Sequence, residues 1–429
     1  MKIAAPVALV SATHRAEVTA RVEELERAGQ PVLLVCLDRT RHEHESTRAD
    51  VLHVPLLSMG MLASLARDRG RALGLLPAML VRLPSAVHLA QLLPRRGVAE
   101  VQGLDPLGAK VADAVRRLCE LKPPDLTELP VDWSRLGAER AGLRWLSRRI
   151  NSIAAEVSLG DQRVVVKRQR DHVGGSAASR WAHESAVLAS LRQAMGDGPL
   201  TVPRVLLADE ASSLLVMERA PGLPLDAMFA DVGRGFSPPP SGGKPALELA
   251  VRGAGAWLAA MQAATRRKVD ARALLAEVVA IARDDAARVL PRERAKIVAQ
   301  LDALEKRVST RPLLVAGHHD DYWPGNIFYD GERVTVIDFE SFRDGLALED
   351  AAFFLIRCDL LRRRFRVDFP DLAQRFFEGY GAAPDPDALR LFTITKGLRG
   401  LARGMGEDLP MPQRLWTRRT IRNAILGAM

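Results

Sequence analysis

The feature that most constrains how this chain can fold is a polar run wrapped around a predicted β-hairpin. Residues 318–341 read HHDDYWPGNIFYDGERVTVIDFES. Apolar stretches at 327–329 and 333–337 flank Asp330-Gly331, a pattern typical of two short strands joined by a tight turn. Four polar residues surround the hairpin: His319, Asp321, Asn326 and Asp338. Read alone, the run is also compatible with a structural hairpin that carries surface acids.

The spacing of these four residues resembles the catalytic loop and metal-binding strand of the aminoglycoside phosphotransferase/choline kinase family. His319-x-Asp321-x-x-x-x-Asn326 matches that family's loop, and Asp338 follows twelve residues later in an I-D-F-E context. The resemblance implies that Asp321 is the catalytic base and that Asn326 and Asp338 bind Mg²⁺. It also implies that His319 supports the loop and that ATP is the phosphoryl donor. Phosphoryl transfer to a hydroxyl needs such groups, because a carboxylate must orient the nucleophile and hard oxygen ligands must hold the cations on the triphosphate.

The asparagine fixes the register of the loop. A start at His318 and Asp320 would place Gly325 where the asparagine must stand, so only the start at His319 fits. The family usually has a small residue at the position of Asp320. An extra carboxylate beside Asp321 is expected to raise the pKa of one of the two groups or to add a metal contact.

Upstream partners of the loop are expected in a small β-rich lobe. Lys167 lies in the apolar strand VVVKRQR, where an unpaired charge would be costly, and Glu184 follows seventeen residues later in the helical stretch WAHESAVLASL. The resemblance implies that Lys167 touches the α- and β-phosphates and that Glu184 positions it. Alternatively, Lys167 reaches water from an edge strand and Glu184 is a solvated helix residue. The stretch LLVMERAPG resembles a hinge in which backbone groups of Glu218 and Ala220 meet the adenine edge.

The chain departs from the family in the turn between the first two strands of that lobe. The family usually has a glycine-containing turn there, but this chain reads LSRRINSIAAEV. Arg148 and Arg149 either contact phosphates in place of glycine amides or form a solvated basic turn. Further along, Asp350 in GLALEDAAFFL matches the aspartate that braces the family's catalytic loop, although an acid at a helix N-terminus would look the same. The resemblance covers about residues 140–400.

The N-terminal residues predict a separate α/β domain. Apolar runs at 6–12 and 31–38 enclose helical periodicity at 15–28, and this βαβ pattern predicts a parallel sheet. Further strands are expected near 50–55 and 98–101, and helices around 58–70, 86–93 and 107–121. No glycine-rich dinucleotide turn follows the first strand. The stretch HRAEVTARVEELERAGQPVLLVCLD resembles the opening of the N-terminal domain of two-domain (GT-B) glycosyltransferases.

These patterns predict an α/β N-terminal open parallel sheet domain followed by an α+β bilobal protein-kinase-like phosphotransferase domain. We expect a Rossmann-like domain over residues 1–122 and a proline-rich linker over 123–140. The kinase-like domain is expected over 141–429, with its N-lobe at 141–222 and its C-lobe at 245–429.

Charge bears on the acceptor of the expected phosphotransferase. The chain has 61 Lys and Arg against 52 Asp and Glu, a formal net charge of +9, which is a poor match to polycationic aminoglycosides. We expect a small-molecule hydroxyl acceptor that is neutral or anionic, such as a sugar, a glycoside or an envelope-glycan precursor. No sequence signature of a specific nucleic-acid binder accompanies the basic residues. The alternative function is a pseudokinase or scaffold that binds nucleotide or an anionic ligand without turnover, and the missing glycine turn is its best support.

Cysteine usage and hydropathy bear on the compartment. Cys36, Cys119 and Cys358 lie far apart in apolar stretches with no metal-ligand spacing, so we expect buried thiols in a reducing compartment. The most apolar stretch, 72–81, is shorter than the roughly 20 residues that span a bilayer. A cytoplasmic protein is therefore expected.

Overall fold

The structure is a computed structural model. It describes residues 3–4, 7–11, 16–28, 30, 32–36, 50–53, 100–104, 106–118, 129–136, 141–148, 151–160, 162–171, 176–234, 242–405 and 411–427. The chain divides into two compact units, one made of Met1–Ala182 and Val205–Arg219 and the other of His183–Arg204 and Ala220–Met429.

The described strands are β1 Ile3–Ala4, β2 Val7–Ser11, β3 Val32–Cys36, β4 Asp50–His53, β5 Glu100–Gly103, β6 Ala141–Arg148, β7 Ser152–Leu159, β8 Gln162–Gln169, β9 Leu200–Thr201, β10 Val205–Asp209, β11 Leu214–Glu218, β12 Leu223–Pro224, β13 Val315–His318, β14 Ile327–Tyr329, β15 Val334–Val336 and β16 Arg343–Leu346. The described α-helices are α1 Ala16–Arg27, α2 Pro106–Leu118, α3 Ala177–Met195, α4 Leu225–Arg234, α5 Gly243–Ala264, α6 Ala271–Val289, α7 Arg294–Val308, α8 Leu348–Phe365, α9 Leu372–Tyr380, α10 Pro386–Ala402 and α11 Met411–Leu426. Short 3₁₀ turns occur at Trp133–Leu136 and Pro324–Asn326.

The N-terminal part of the first unit contains an open parallel sheet. Its strand order is β4-β3-β2-β5, and all three pairings are parallel. Apolar residues at alternate strand positions and along α1, including Val7, Leu9 and Val22, form its buried core. The α/β class predicted for this region is therefore confirmed. The helices expected at 58–70 and 86–93 lie outside the described residues.

The remainder of the first unit is built on a second sheet of mainly antiparallel strands. Its order is β1-β6-β7-β8-β11-β10, and the predicted hairpin is the β7–β8 pair. Strand β1 adds to the edge in parallel, with Ile3 opposite Ala141, a long-range pairing that the sequence did not predict. Leu129, from the segment expected to be a linker, is 5 % exposed and packs in the core of this sheet. The predicted domain boundaries stay a prediction.

The second unit is mainly helical, with two small sheets. A four-stranded sheet has the order β12-β14-β15-β9, and β13 pairs antiparallel with β16. The predicted hairpin of the polar run is the antiparallel β14–β15 pair. Helices α6, α7, α8, α10 and α11 share one large apolar core. This mixture confirms the predicted α+β class.

Two close backbone approaches hold α9 against α5. A Cβ atom at Gly379 would lie 1.8 Å from the Arg252 carbonyl oxygen, and one at Gly255 would lie 1.9 Å from that of Phe376. Only glycine therefore lets these helices pack at this distance.

Two further expectations concern thiols and membranes. Cys358 is buried, whereas the side chains of Cys36 and Cys119 lie outside the described part of the chain. Within the described ranges, no helix has the length and apolar character needed to cross a bilayer.

Candidate active site

The polar run forms a loop at the end of β13 in the second unit. Strand β13 is buried along its whole length, and the chain leaves it at His318. Pro324 then starts a 3₁₀ turn that ends at the buried Asn326. The Asn326 Nδ2 donates to both the carbonyl oxygen and the Oδ2 of Asp321, each at 3.1 Å. This turn brings together the two residues that the sequence spacing pairs.

The His319 ring ties the loop to the end of the hairpin. The Asp321 backbone N–H donates to His319 Nδ1 at 3.3 Å. Since Nδ1 accepts, Nε2 carries the proton and donates to the Ile337 carbonyl oxygen, 3.0 Å away. Burial lowers the pKa of His319, in spite of the nearby Asp350 carboxylate, and so favours this neutral form. His319 is therefore a positioning residue whose two ring nitrogens hold two parts of the site.

Asp350, in the first turn of α8, holds the start of the loop. Its Oδ2 accepts from the His319 backbone N–H at 2.7 Å and its Oδ1 from that of Asp320 at 3.1 Å. The Oδ1 also lies 2.8 Å from His318 Nε2. Burial alone would raise the pKa of Asp350, but His318 and these donors hold it below its usual value. The ionised carboxylate thus replaces the water that two loop amides would otherwise need.

Asp338 lies two residues beyond β15, on the same side of the hairpin as the loop. Its neighbour Ile337 donates its backbone N–H to the Asn326 carbonyl oxygen at 3.0 Å and accepts from the His319 ring. Asp338 has a φ of 71°, a left-handed conformation that a non-glycine residue adopts only when its surroundings hold it there. The structure therefore places His319, Asp321, Asn326 and Asp338 in one hydrogen-bonded assembly.

Asp320 also adopts a left-handed conformation, with a φ of 60°. Its side chain forms an ion pair with Lys396 of α10, whose Nζ lies 2.9 Å from Oδ1. Lys396 is 7 % exposed and also lies 3.1 Å from Glu349 Oε2. Burial would raise the pKa of Asp320, but Lys396 and His318 hold it well below its usual range. The expectation of a raised pKa at this position is therefore wrong for Asp320, since a cation from a distant helix neutralises it.

Arg357 of α8 faces the catalytic-loop side of the same region. Its guanidinium lies 4.7 Å from the centroid of the Trp323 ring, a cation–π arrangement. Burial lowers the pKa of Arg357, while the charges of Asp321 and Asp226 raise it. Within the described chain, no carboxylate lies within ion-pair distance of this guanidinium.

Comparison with known proteins decides the family. Residues 146–392, more than half of the chain, match the family described as "Phosphotransferase enzyme family". The chain belongs to this phosphotransferase family. The match agrees with the predicted resemblance and supports a phosphotransferase acting on a small molecule. No curated protein matches the chain.

Several solved structures are similar to this phosphotransferase. A macrolide 2'-phosphotransferase from Brachybacterium faecium is 18% identical, with a TM-score of 0.44 over 70% of this chain and 98% of that one. A choline kinase from Streptococcus pneumoniae is 11% identical, with a TM-score of 0.44 over 69% and 96% of the two chains. The aminoglycoside phosphotransferase APH(4)-Ia is 16% identical, with a TM-score of 0.43 over 69% and 97%. Because these TM-scores lie below 0.5, the family assignment rests on the family match.

The other predicted site residues of the phosphotransferase fall in or next to the β-rich lobe. Lys167 is a buried residue of β8, opposite Ala154 of β7 and Leu215 of β11. Glu184 is 1 % exposed in α3, so the alternative of a solvated helix residue is wrong. Lys167 is likewise not on an edge strand. The structure assigns Lys167 to the first unit and Glu184 to the second.

The expected hinge and the basic turn are described to different extents. Glu218 ends β11, half-buried, and Ala220 follows in the second unit at 5 % exposure. Arg148 is the last residue of β6, and its side chain lies outside the described part of the structure. Arg149 lies outside the described residues altogether. The two alternatives for this turn therefore stay open.

Lys396 and Arg357 were missed by sequence reasoning, although both carry the same signal. Lys396 lies in TITKGL and Arg357 in FFLIRCDLL, each a single cation inside an apolar helical run. A buried charge is costly unless it is paired, so such a cation indicates a nearby carboxylate or a ligand. This was the argument that drew attention to Lys167.

Proposed function

We propose that this protein transfers the γ-phosphate of ATP to a hydroxyl of a small molecule, with Asp321 as the catalytic base. One observation carries the proposal: Asp321 and Asn326 are joined by a hydrogen bond on a loop whose backbone is held by His319 and Asp350. Phosphoryl transfer depends mainly on positioning and electrostatics, so a rigid pairing of these groups is what the reaction needs.

The proposed reaction follows from the groups on the loop. The acceptor hydroxyl oxygen forms a bond to the γ-phosphorus while the bond from that phosphorus to the bridging oxygen breaks, leaving ADP. The hydroxyl proton passes to the Asp321 carboxylate. The Asn326 Nδ2 donates to Asp321 Oδ2 at 3.1 Å, which leaves Oδ1 of the carboxylate to face the acceptor.

The donor set fits a magnesium ion. Because the Asn326 Nδ2 is turned towards Asp321, the amide oxygen of Asn326 is directed away from that pair. Together with the Asp338 carboxylate it offers the hard oxygen ligands that Mg²⁺ prefers. Within the described ranges, no group of three His, Cys, Asp or Glu side chains is arranged for a metal, so phosphate oxygens and water would complete the coordination. When bound, Mg²⁺ would hold the triphosphate and offset its charge.

The nucleotide is proposed to use the remaining predicted residues. Lys167, buried in the centre of a sheet, would bind the α- and β-phosphates, and Glu184 would position its side chain. The backbone groups around Glu218 and Ala220 would meet the adenine. Two of the similar structures are complexes of APH(4)-Ia, one with AMP-PNP and hygromycin B and the other with ADP and hygromycin B.

The acceptor is proposed to be a sugar, a glycoside or an envelope-glycan precursor, handled in the cytoplasm where ATP is available. A net charge of +9 supports a neutral or anionic acceptor over a polycationic one. The resemblance of the N-terminal region to a glycosyltransferase domain favours the same class.

The test of this function is Asp321→Asn, assayed for ADP release and for Mg·ATP binding. We expect binding to persist and turnover to fall by roughly 10²–10⁴-fold, the range of a lost general base. Asp344→Asn is the matched control, because Asp344 is 47% exposed on β16 of the same unit and should leave turnover unchanged. Asp338→Ala should instead remove the Mg²⁺-dependent part of nucleotide binding.

The same measurements separate the alternative function. A pseudokinase would bind Mg·ATP and release no ADP with any acceptor, in the wild type as in the variant. Turnover in Asp321→Asn equal to that of the wild type would show that this aspartate is not the base.

A further inference from the structure

Two neighbouring cavities open beside the catalytic loop within the second unit. One has a volume of about 230 Å³ and the other of about 200 Å³, and both are lined by Asp320, Lys396, Arg399 and Arg403. The smaller one is also lined by Asp321, so it is the space from which an acceptor hydroxyl can meet the proposed base. Cavities of this size suit molecules smaller than the drug-sized ligands of typical pockets of about 300–1,000 Å³.

The lining of the smaller cavity is rich in cations. Its described residues include four, namely Arg357, Lys396, Arg399 and Arg403, and two carboxylates, Asp320 and Asp321. Lys396 lies between Asp320 and Glu349, at 2.9 Å and 3.1 Å, so these three groups largely satisfy one another. Three arginines and the proposed base remain to face the contents of the cavity.

None of these three arginines has a close carboxylate partner within the described chain. Arg399 Nη1 lies 3.6 Å from Asp285 Oδ2, and Arg403 Nη2 lies 3.7 Å from Asp320 Oδ2, both beyond hydrogen-bond distance. Arg357 is held over the Trp323 ring with no ion pair. A guanidinium presents several N–H donors in a fixed plane, which matches a carboxylate or a phosphate group.

We propose that this cavity binds an acceptor that carries an anionic group, a phosphate or a carboxylate, in addition to its hydroxyl. The inference rests on the proposed phosphotransferase function and names its substrate class. Arg399 and Arg403 hold the anionic group at the open side of the cavity, where they are 40% and 55% exposed. Arg357 completes the anion site from the inner wall, and the hydroxyl is directed to Asp321. A polycationic acceptor would meet the same three guanidinium groups and be repelled.

The first experiment measures binding of inorganic phosphate by calorimetry, with the nucleotide site filled by Mg·AMP-PNP. We expect one phosphate to bind, and Arg399→Gln and Arg403→Gln each to raise its Kd by about tenfold, because a hydrogen bond to a charged group contributes roughly 1.5–3 kcal/mol. Arg419→Gln, an exposed arginine on α11, is the control and should leave the Kd unchanged. No phosphate binding, or equal binding by all three variants, would overturn the inference.

The second experiment compares glucose, glucose 6-phosphate, gluconate and kanamycin as ligands of the same loaded protein. Tighter binding of the two anionic compounds than of glucose, lost in the Arg403→Gln variant, supports the inference. Tighter binding of kanamycin or of glucose contradicts it. Failure of Mg·AMP-PNP to bind would instead count against the proposed function, and the phosphate titration of the nucleotide-free protein would still report on the arginines.

Discussion

Replacing Lys396 by methionine should destabilise the second unit in a pH-dependent way. Lys396 Nζ lies 2.9 Å from Asp320 and 3.1 Å from Glu349, whose side chains are 12% and 3% exposed. Methionine has a similar length and no charge, so the change leaves both carboxylates without their nearest cation. The remaining cation close to both is Arg343, at 3.6 Å and 3.9 Å. Removing one member of a buried ion-pair network typically costs about 3–5 kcal/mol, which we expect at pH 7.

The pH dependence follows from the direction of the pKa shifts. In the wild type the pKa values of Asp320 and Glu349 lie below their ordinary values of 3.8 and 4.5. Such groups stabilise the fold above the unfolded pKa, and this stabilisation is lost as the pH falls through the folded pKa. Without Lys396, burial dominates and raises both pKa values, so the variant takes up protons in the folded state. The difference in unfolding free energy should therefore narrow as the pH falls below about 4.5.

Hydrogen exchange followed by mass spectrometry is the suitable assay, since it reports the opening free energy of each segment of a chain that has two units. Peptides from α10 and β13 should lose protection in Lys396→Met at pH 7 and lose less at lower pH. Lys296→Met, at an exposed position of α7, is the matched control. A loss below about 1 kcal/mol, or a loss of equal size at both pH values, would refute the reasoning.

Three further changes test other parts of the structure. Gly379→Ala should lower the unfolding free energy by about 1–3 kcal/mol in a denaturant titration, because its Cβ would lie 1.8 Å from the Arg252 carbonyl oxygen. A truncated chain that begins at residue 126 should fold and bind Mg·ATP, whereas one that begins at residue 132 lacks the buried Leu129 and should melt at a lower temperature. Changing both Arg148 and Arg149 to Ser should raise the KM for ATP about tenfold if they bind phosphates, and an unchanged KM would favour the solvated turn.

Local pattern was sufficient for much of the fold. The β14–β15 hairpin, the β7–β8 hairpin and the parallel N-terminal sheet follow from apolar periodicity and turn residues that lie close together in the sequence. The pairing of Ile3 with Ala141 and of β9 with β15 could not be predicted in this way. Two-residue strands carry no periodicity, and their partners are far away along the chain.

The site was predictable up to the residues that contact the loop from other helices. Asp321 and Asn326 have a spacing that a short turn can close, and Asp350 was identified because it matches the family. Lys396 is 76 positions from Asp320, and no local rule joins them. Only the folding of α10 over the loop brings this cation to the carboxylate, so the sequence suggested an unpaired acid where the structure has an ion pair.

The left-handed conformation of Asp320 explains how the loop tolerates a carboxylate where the family usually has a small residue. A residue with a φ of 60° is easiest for glycine, and an aspartate there costs about 1 kcal/mol or more. The same backbone turn directs the Asp320 side chain away from Asp321 and towards Lys396, so the charge lies on the wall of the cavity and not beside the metal ligands. Glycine would leave Lys396 with Glu349 alone and would remove the carboxylate that lies 3.7 Å from Arg403. Asp320 thus neutralises a buried lysine and helps to orient an arginine that we assign to the acceptor, so its effect should appear in acceptor binding more than in the chemistry at Asp321.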